Sequence, residues 1–313
     1  MTPNPEYHAP VLLGECLDMM QLSEAGVFVD ATFGGGGHSA HILQRMAAGS
    51  HLYAFDQDSD AQRNAEQPPF AGRADFSFVP ANFRHLKRML RATGVRPGTV
   101  KAVLADLGVS SYQLDTAERG FSYRFDAPLD MRMNTSEGQS AADVLNTYSA
   151  EELQRVFSQW GEVRNARTLA LQCVEKRQFS RFKNTGDLAD LCNKLYFGDR
   201  FRYLSQVFQA LRMEVNEEES ALADFLSESL AMLAPGGRLV VITYHSIEDR
   251  IVKNYLKTGN AAGEVEKDFY GNIHRPWVLV NKKPIEPGAE EIRSNNRARS
   301  ARLRVAEKAP DQP

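Results

Sequence analysis

Val27-Phe28-Val29-Asp30-Ala31-Thr32-Phe33-Gly34-Gly35-Gly36-Gly37-His38 reads as a short apolar strand, a glycine loop and the start of a helix. Four consecutive glycines let the backbone turn tightly and approach a ligand, because no Cβ stands in the way. The helix that begins at about His38 aims N–H groups and a partial positive charge at the same place. Two spacings fit. Gly35, Gly37 and Ala40 satisfy the dinucleotide pattern G-x-G-x-x-A. Asp30, Gly34 and Gly36 satisfy most of a methyltransferase pattern, an acidic residue followed by alternating glycines, with Thr32 where the first glycine usually stands. Both spacings imply a cofactor that carries a nucleoside.

Outward from the loop, short apolar runs alternate with helical patterns. Val27–Asp30, Leu52–Asp56, Phe76–Val79 and Val100–Asp106 read as strands, and His38–Met46, Asp58–Ala65 and Phe83–Leu90 as the helices between them. Such alternation predicts a parallel sheet with right-handed crossovers. The pattern returns late in the chain. Glu217–Leu233 is helical, Pro235-Gly236-Gly237 reads as its stop, and Arg238–Tyr244 follows as an apolar strand. Two further strands fit Trp277–Val280 and Arg302–Ala306. Between about Asp115 and Met213 strand signals vanish. Ser149-Ala150-Glu151-Glu152 has capping-box spacing and opens a helix through Trp160, with further helices at Asn165–Lys176 and Thr185–Tyr196. The expected organisation is an α/β domain in two parts, residues 1–115 and 214–313, interrupted by a helical insertion at 116–213 that recognises the substrate.

The 313 residues are 42% apolar and 25% charged, enough to bury a full core. No window approaches a membrane span, and the N-terminus lacks the basic start and apolar run of a secretory signal. Cys16, Cys173 and Cys192 are odd in number and far apart, which fits a reducing cytoplasm better than a disulfide scaffold. A net charge of −3 argues against wrapping nucleic acid over the whole surface. Local basic clusters remain, one at Arg181, Lys183, Lys194, Arg200 and Arg202, another at Arg293, Arg297, Arg299, Arg302 and Arg304. Either serves as a solvated face or as a footprint for phosphates.

Two carboxylates complete the chemistry. Asp56, at the end of the second strand, is placed to accept the hydroxyl hydrogens of a ribose, or to cap the helix that follows. Asp106 ends the fourth strand, next to the first, where a doubly wound sheet reverses its order. The exocyclic amine of a base is a poor nucleophile, because its lone pair is delocalised into the ring. A carboxylate that accepts a hydrogen bond from that amine favours a pyramidal nitrogen, whose lone pair can then attack in line. Asp106-Leu107-Gly108-Val109-Ser110-Ser111 provides such a residue and a tight turn.

At this point a resemblance enters. His8-Ala9-Pro10-Val11-Leu12-Leu13, the glycine loop with His38, and Asp106-Leu107-Gly108-Val109-Ser110-Ser111 with Gln113-Leu114-Asp115 are part of it. So are Glu118-Arg119-Gly120-Phe121-Ser122, Pro128-Leu129-Asp130-Met131-Arg132-Met133 and Gln209-Ala210-Leu211-Arg212. Tyr244-His245-Ser246-Ile247-Glu248-Asp249-Arg250 and Asn296-Arg297-Ala298-Arg299-Ser300 complete the set. In this order, and over nearly the whole chain, they resemble the MraW family of bacterial ribosomal RNA methyltransferases. The resemblance implies a class I S-adenosylmethionine methyltransferase, a Rossmann-like, mostly parallel sheet with an inserted all-helical domain. It implies N4-methylation of a cytosine in the decoding region (P site) of 16S rRNA within the small ribosomal subunit, in the cytoplasm. Carried over by position, Gly36, Gly37, His38, Asp56, Phe83, Asp106 and Gln113 hold the cofactor, with Gly35 in the same loop. Phe83 also suits an aromatic ring packed on the adenine.

Other residues bear on the same reading. Phe121, Tyr123 and Phe125 alternate beside Arg119 and Arg124, an interleaving that stacks and clamps a flipped-out base or packs a loop onto its own domain. His245, after the late strand, faces the catalytic side and could relay the released proton, which makes Asp106 and His245 the candidate catalytic pair. No His/Cys set has metal-ligand spacing, and the chemistry needs no metal. Two alternatives stay open on the residues alone: an NAD-dependent oxidoreductase, and a non-catalytic ribosome-assembly factor. The expected assembly is a monomer or homodimer with no membrane partner.

Overall fold

The computed structural model describes residues 10–265 and 275–310. Seven strands form one sheet: β1 (Val27–Asp30), β2 (His51–Asp56), β3 (Phe76–Pro80), β4 (Val100–Asp106), β5 (Leu233–Thr243), β6 (Trp277–Leu279) and β7 (Arg302–Lys308). Their order is β3-β2-β1-β4-β5-β7-β6. The first five are parallel, and β7 runs antiparallel to both β5 and β6. This is the Rossmann-like, class I arrangement expected from the sequence, with the order reversing between β1 and β4.

The described residues form two compact units, one drawn from 1–108 and 220–313, the other from 109–219. The sequence reading placed the breaks at 115 and 213. The earlier first break has a local cause. The short helix α5 (Ser111–Asp115) is held by a Ser110/Gln113 capping box and runs straight into the turn Ala117–Arg119 of the second unit.

In the first unit, helices α1 (Leu13–Met19), α2 (Gly37–Arg45), α3 (Ser59–Ala65) and α4 (Leu86–Ala92) precede the break. The central strands are apolar almost without interruption because both faces are covered. Phe28, Val29, Leu52, Phe55, Val103, Leu104, Ala105, Val240 and Val241 are all fully buried. Each such large side chain contributes about 1.5–3 kcal/mol on burial. The antiparallel β7 alternates instead. Leu303 and Val305 join the core, while Arg302 and Arg304 point to the opposite face.

In the second unit, α5 is followed by α6 (Ala141–Thr147), α7 (Ala150–Gln159), α8 (Ala166–Phe179), α9 (Thr185–Leu195) and α10 (Arg200–Val215). The expected capping box is formed at α7, where Ser149 accepts from the Glu152 N–H and Glu152 from the Ser149 N–H. No strand occurs there among the described residues. The unit has a core of its own, with Val144, Leu145, Leu153, Val156, Phe157, Leu169, Leu188, Val207, Phe208 and Leu211 buried. Gly120 is required where two motif segments meet. Its φ is +71°, and a Cβ there would lie 2.4 Å from the Pro128 carbonyl oxygen. Met131 N–H closes the approach by donating to the Arg119 carbonyl at 3.0 Å.

The chain returns to the sheet through α11 (Glu218–Met232), then α12 (Ser246–Thr258) and α13 (Ala289–Ser294). Pro235-Gly236-Gly237 does not separate α11 from a strand starting at Arg238. The strand already begins at Leu233, and its register against β4 jumps between Val100/Leu233 and Ala102/Arg238. Proline and glycine are thus absorbed as an irregularity inside β5, where the ladder is interrupted.

Candidate active site

Three neighbouring parallel strands end on aspartate: β1 on Asp30, β2 on Asp56 and β4 on Asp106. The carboxyl ends of such strands, at the point where the order reverses, form the ligand crevice of a doubly wound sheet.

Asp30 is buried and shapes the loop that follows it. Its Oδ1 accepts the Thr32 N–H at 3.1 Å and its Oδ2 the Ser39 hydroxyl at 2.7 Å. Asp56 holds the glycine loop from the other side, with Oδ2 accepting the Gly34 N–H at 2.8 Å and Oδ1 the Asp58 N–H at 2.9 Å. Asp58, not Asp56, caps α3, by accepting the Asp60 N–H. Asp106 is tied at backbone and side chain. Its N–H donates to Thr32 Oγ1 at 2.7 Å, and its Oδ1 accepts the Tyr244 hydroxyl at 2.6 Å. Its Oδ2 lies 3.8 Å from His38 Nδ1. Thr32, which replaces a glycine of the methyltransferase pattern, therefore joins the loop to β4.

Burial raises all three carboxyls above the usual range. Asp56 is pushed up to about 6, with the Asp58 and Asp30 charges adding to the desolvation. Asp30 and Asp106 move the same way, against the opposing pull of His38 and their hydrogen-bond donors. Tyr244 is raised too, by its burial and then by the Asp106 charge it faces, so it stays a donor. A cluster with this bias favours a ligand that brings positive charge and hydroxyl donors. Two phosphates would instead meet repulsion from Asp30 and Asp106.

The remaining loop residues are placed as follows. Gly34 and Gly36 adopt positive φ, and Gly36 is the N-cap of α2. A Cβ on Gly36 would strike the Phe70 ring at 2.5 Å, so glycine is needed there for packing on the Phe33/Phe70/Phe76 ring cluster as well as for the turn. Gly35 and Gly37 are half-buried, and a Cβ on Gly37 would lie 2.6 Å from Pro10. His38 is buried, with Nε2 3.1 Å from the Val11 carbonyl oxygen. Phe83 follows β3 in a single 3₁₀ turn, half-buried, its ring 5.1 Å edge-on to Phe225 of α11. A concavity of about 440 Å³ along α4, lined by Lys87, Arg88, Arg91, Ala92 and Glu228, contains none of these residues.

His245 and Gln113 each make local contacts of their own. His245 makes no hydrogen bond or ion pair with Asp106. It is the N-cap of α12, facing Glu248, with Nε2 3.0 Å from Glu248 Oε1 but off the hydrogen-bonding direction. Its neighbour Tyr244 reaches Asp106 instead, and Glu248 Oε2 fixes Tyr244 by accepting its N–H at 3.0 Å. The signal for Tyr244 was present in the sequence as the first residue of the Tyr244–Arg250 motif. Gln113 belongs to the second unit, where it is buried and its Oε1 accepts the Ser110 N–H at 3.0 Å.

The aromatic triplet is largely packed. Phe121 is buried, and Tyr123 lies edge-on to Phe208 with its hydroxyl against Ser205. Arg119 donates to the Arg132 and Met133 carbonyls, while Arg124 pairs with Asp115. Phe125 alone of the three is exposed. Two of the C-terminal arginines are likewise engaged. Arg304 forms a two-pronged pair with Asp249 at 2.7 and 3.0 Å, and Arg302 joins it at 3.3 Å. The three cysteines are buried and unpaired.

The fold and the strand-end carboxylates together define a methyltransferase of the Rossmann-like class. The profile of the MraW methylase family matches residues 6–309, so the chain belongs to that family, whose members depend on S-adenosylmethionine. It is 51% identical over 303 residues to the ribosomal RNA small subunit methyltransferase H of Phocaeicola vulgatus, covering 96% of this chain and 97% of that protein. Against the enzyme of the same name from Parabacteroides distasonis the identity is 50%, with the same coverage. Among solved structures, TrmN from Thermus thermophilus aligns with a TM-score of 0.44 at 14% identity, over 95% of this chain and 48% of that one. Among the described residues no helix is long and apolar enough to cross a membrane.

Proposed function

We propose that this chain transfers a methyl group from S-adenosylmethionine to the N4 amine of a cytosine in the decoding region, at the P site, of 16S rRNA in the small ribosomal subunit. The observation that carries the reading is Asp106: a buried carboxylate at the reversal point of the sheet, one oxygen held by Tyr244 and the other left to accept. The names of the relatives support the RNA substrate, and the strand-end carboxylates fit the cofactor by charge. Asp56 would take the ribose hydroxyls. Asp30, Asp106 and the Gly34–Gly37 loop with His38 would surround the amino acid end, and Phe83 would pack on the base. By the family resemblance Gln113 adds a polar contact to the amino acid portion.

S-adenosylmethionine, when bound, supplies an electrophilic methyl group carried on a sulfonium. Asp106 Oδ2 accepts one N4–H of the cytosine, which biases the nitrogen toward a pyramidal, in-line geometry. As the N–C bond forms and the methyl–sulfur bond breaks, its electron pair would stay on sulfur in the departing S-adenosylhomocysteine, while the amine becomes acidic and Oδ2 receives its proton. Burial raises the affinity of Asp106 for that proton, whereas the Tyr244 hydrogen bond moderates it. The helical unit at 109–219 would supply the RNA contacts that an acidic crevice cannot.

The test is transfer of radiolabelled methyl groups to small subunits that lack the modification, followed by nucleoside mass spectrometry. N4-methylcytidine in 16S rRNA is the expected product. Label on another base, or cofactor-competent protein that labels nothing, would refute the proposal.

A further inference from the structure

Within the second unit, α9 and α10 are joined by a turn whose side chains face solvent. Tyr196, Phe197 and Phe201 are 46%, 66% and 61% exposed. Single exposed apolar side chains are ordinary, but three large rings within six residues make a patch that needs an occupant. Two of the rings carry a cation. The Arg164 guanidinium lies 5.4 Å from the Phe197 centroid, and Arg200 lies 5.6 Å from that of Phe201. Arg200 is steadied there by donating to Asn193 Oδ1 at 2.7 Å. Lys194 and Arg202 are exposed on the same segment. Among the described residues none of Arg164, Lys194, Arg200 and Arg202 pairs with a carboxylate. The one acid in the turn, Asp199, is occupied in capping α10 through the Arg202 N–H at 2.7 Å.

We infer that this turn is a docking surface for an unpaired RNA strand, with the rings as stacking platforms for bases and the cations as phosphate partners. The inference rests on the proposed RNA substrate and names where that RNA is gripped. Flat rings topped by guanidinium groups suit unstacked bases, whose π-faces are available only outside a duplex. Cations without carboxylate partners suit phosphates, since binding then breaks no ion pair. A second copy of this chain fits less well, because apposed turns would bring four cations against four.

The experiment measures equilibrium binding of fluorescein-labelled single-stranded and duplex RNA oligonucleotides to the full chain, across a salt series. Phe197→Ala and Phe201→Ala should each weaken single-strand binding about tenfold and leave the salt slope unchanged. Arg200→Gln and Arg202→Gln should each lower the slope of log affinity against log salt by about 0.7. All four sites are exposed, so melting temperature and S-adenosylmethionine affinity should match the parent. With small subunits as substrate, the ring variants should raise KM more than they lower kcat. Unchanged RNA affinity in the ring variants overturns the inference while wild-type methylation keeps the proposed function standing. Equal losses on duplex and single strand overturn the stacking role. A ring variant that only turns a dimer into a monomer in sedimentation assigns the patch to self-association instead. Wild-type protein that neither binds nor methylates RNA removes the proposed function and the inference together.

Discussion

The affinity for S-adenosylmethionine should rise with pH between 5 and 7.5, and Asp56 sets the scale. Its carboxyl, held near Gly34 and Asp58 N–H groups, is pushed up to about 6 chiefly by burial. A ribose that donates its hydroxyl hydrogens needs the carboxylate. With the carboxyl at about 6, about one tenth of the protein is ionised at pH 5 and nearly all at pH 7.5, so Asp56 alone weakens binding about tenfold at the lower pH, ~1.4 kcal/mol. Asp30 and Asp106 are raised as well and steepen the trend for a cationic ligand. S-adenosylhomocysteine lacks the sulfonium charge but keeps the ribose and the ammonium, so it should show the Asp56 part of the dependence in full and a weaker contribution from Asp30 and Asp106. Folding carries the opposite sign. A carboxyl raised above its unfolded value stabilises the fold fully below about 4, and that contribution, at most about 3 kcal/mol, is lost as pH rises through about 6. The ligand-free protein should therefore melt higher at pH 5 than at pH 7, while the ligand binds more tightly at pH 7. Isothermal titration calorimetry and thermal melts across this range measure both. Asp56→Asn should weaken affinity at pH 7.5 and make the S-adenosylhomocysteine profile shallower. Wild-type affinity that stays level from pH 5 to 7.5 would refute the reasoning.

Other substitutions probe the same crevice and its support. Asp106→Asn keeps an acceptor for Tyr244 but turns a donor toward the amine, and single-turnover methyl transfer should fall about 10²–10⁴-fold with little change in melting temperature. Tyr244→Phe removes the 2.6 Å hydrogen bond to Asp106. A bond to a charged group is worth about 1.5–3 kcal/mol, so transfer should drop roughly 10–100-fold and its acidic limb should shift to higher pH. Asp249→Ala strands the mostly buried Arg304 and should cost about 2–4 kcal/mol in urea denaturation, much of it recovered when Arg304→Met is added.

The core was legible because both of its periodicities are strong. β1 and β4 lie where the apolar runs put them, and the Ser149 box starts α7 as its spacing requires. What escaped detection was local chemistry that runs against type. Pro235-Gly236-Gly237 has the composition of a helix stop, yet the helix already ends at Met232 and a register shift absorbs the three residues. Helix α10 carries buried Tyr203, Leu204, Val207, Phe208 and Leu211 at helical spacing, but the arginines at its start mask that apolar face in the sequence. In the site, the strand-end carboxylates could be read, because position on a parallel strand fixes where a side chain emerges. The partner of Asp106 could not. Tyr244 and His245 are adjacent, and only the entry into α12 decides which turns toward β4 and which caps the helix. Aromatic–basic interleaving proved ambiguous for a similar reason. It occurs at Phe121–Phe125, mostly packed, and again at Tyr196–Arg202, exposed, and pattern alone does not distinguish the two.

The net charge of −3 therefore conceals two local clusters of opposite sign. In the first unit, carboxylates end three adjacent strands, and several arginines that would offset them are tied to partners of their own: Arg84 to Asp224, Arg302 and Arg304 to Asp249. In the second, Arg164, Lys194, Arg200 and Arg202 have no such partners among the described residues. A polyanion is repelled by the first arrangement and attracted by the second, whereas a cationic, hydroxyl-bearing cofactor has the reverse preference. Buried carboxylates keep their bias in salt, but exposed cations lose theirs within a Debye length of about 8 Å at physiological ionic strength. Raising salt should then strip RNA from the protein long before it disturbs the cofactor, which is how one chain of mild net charge handles two ligands of opposite sign.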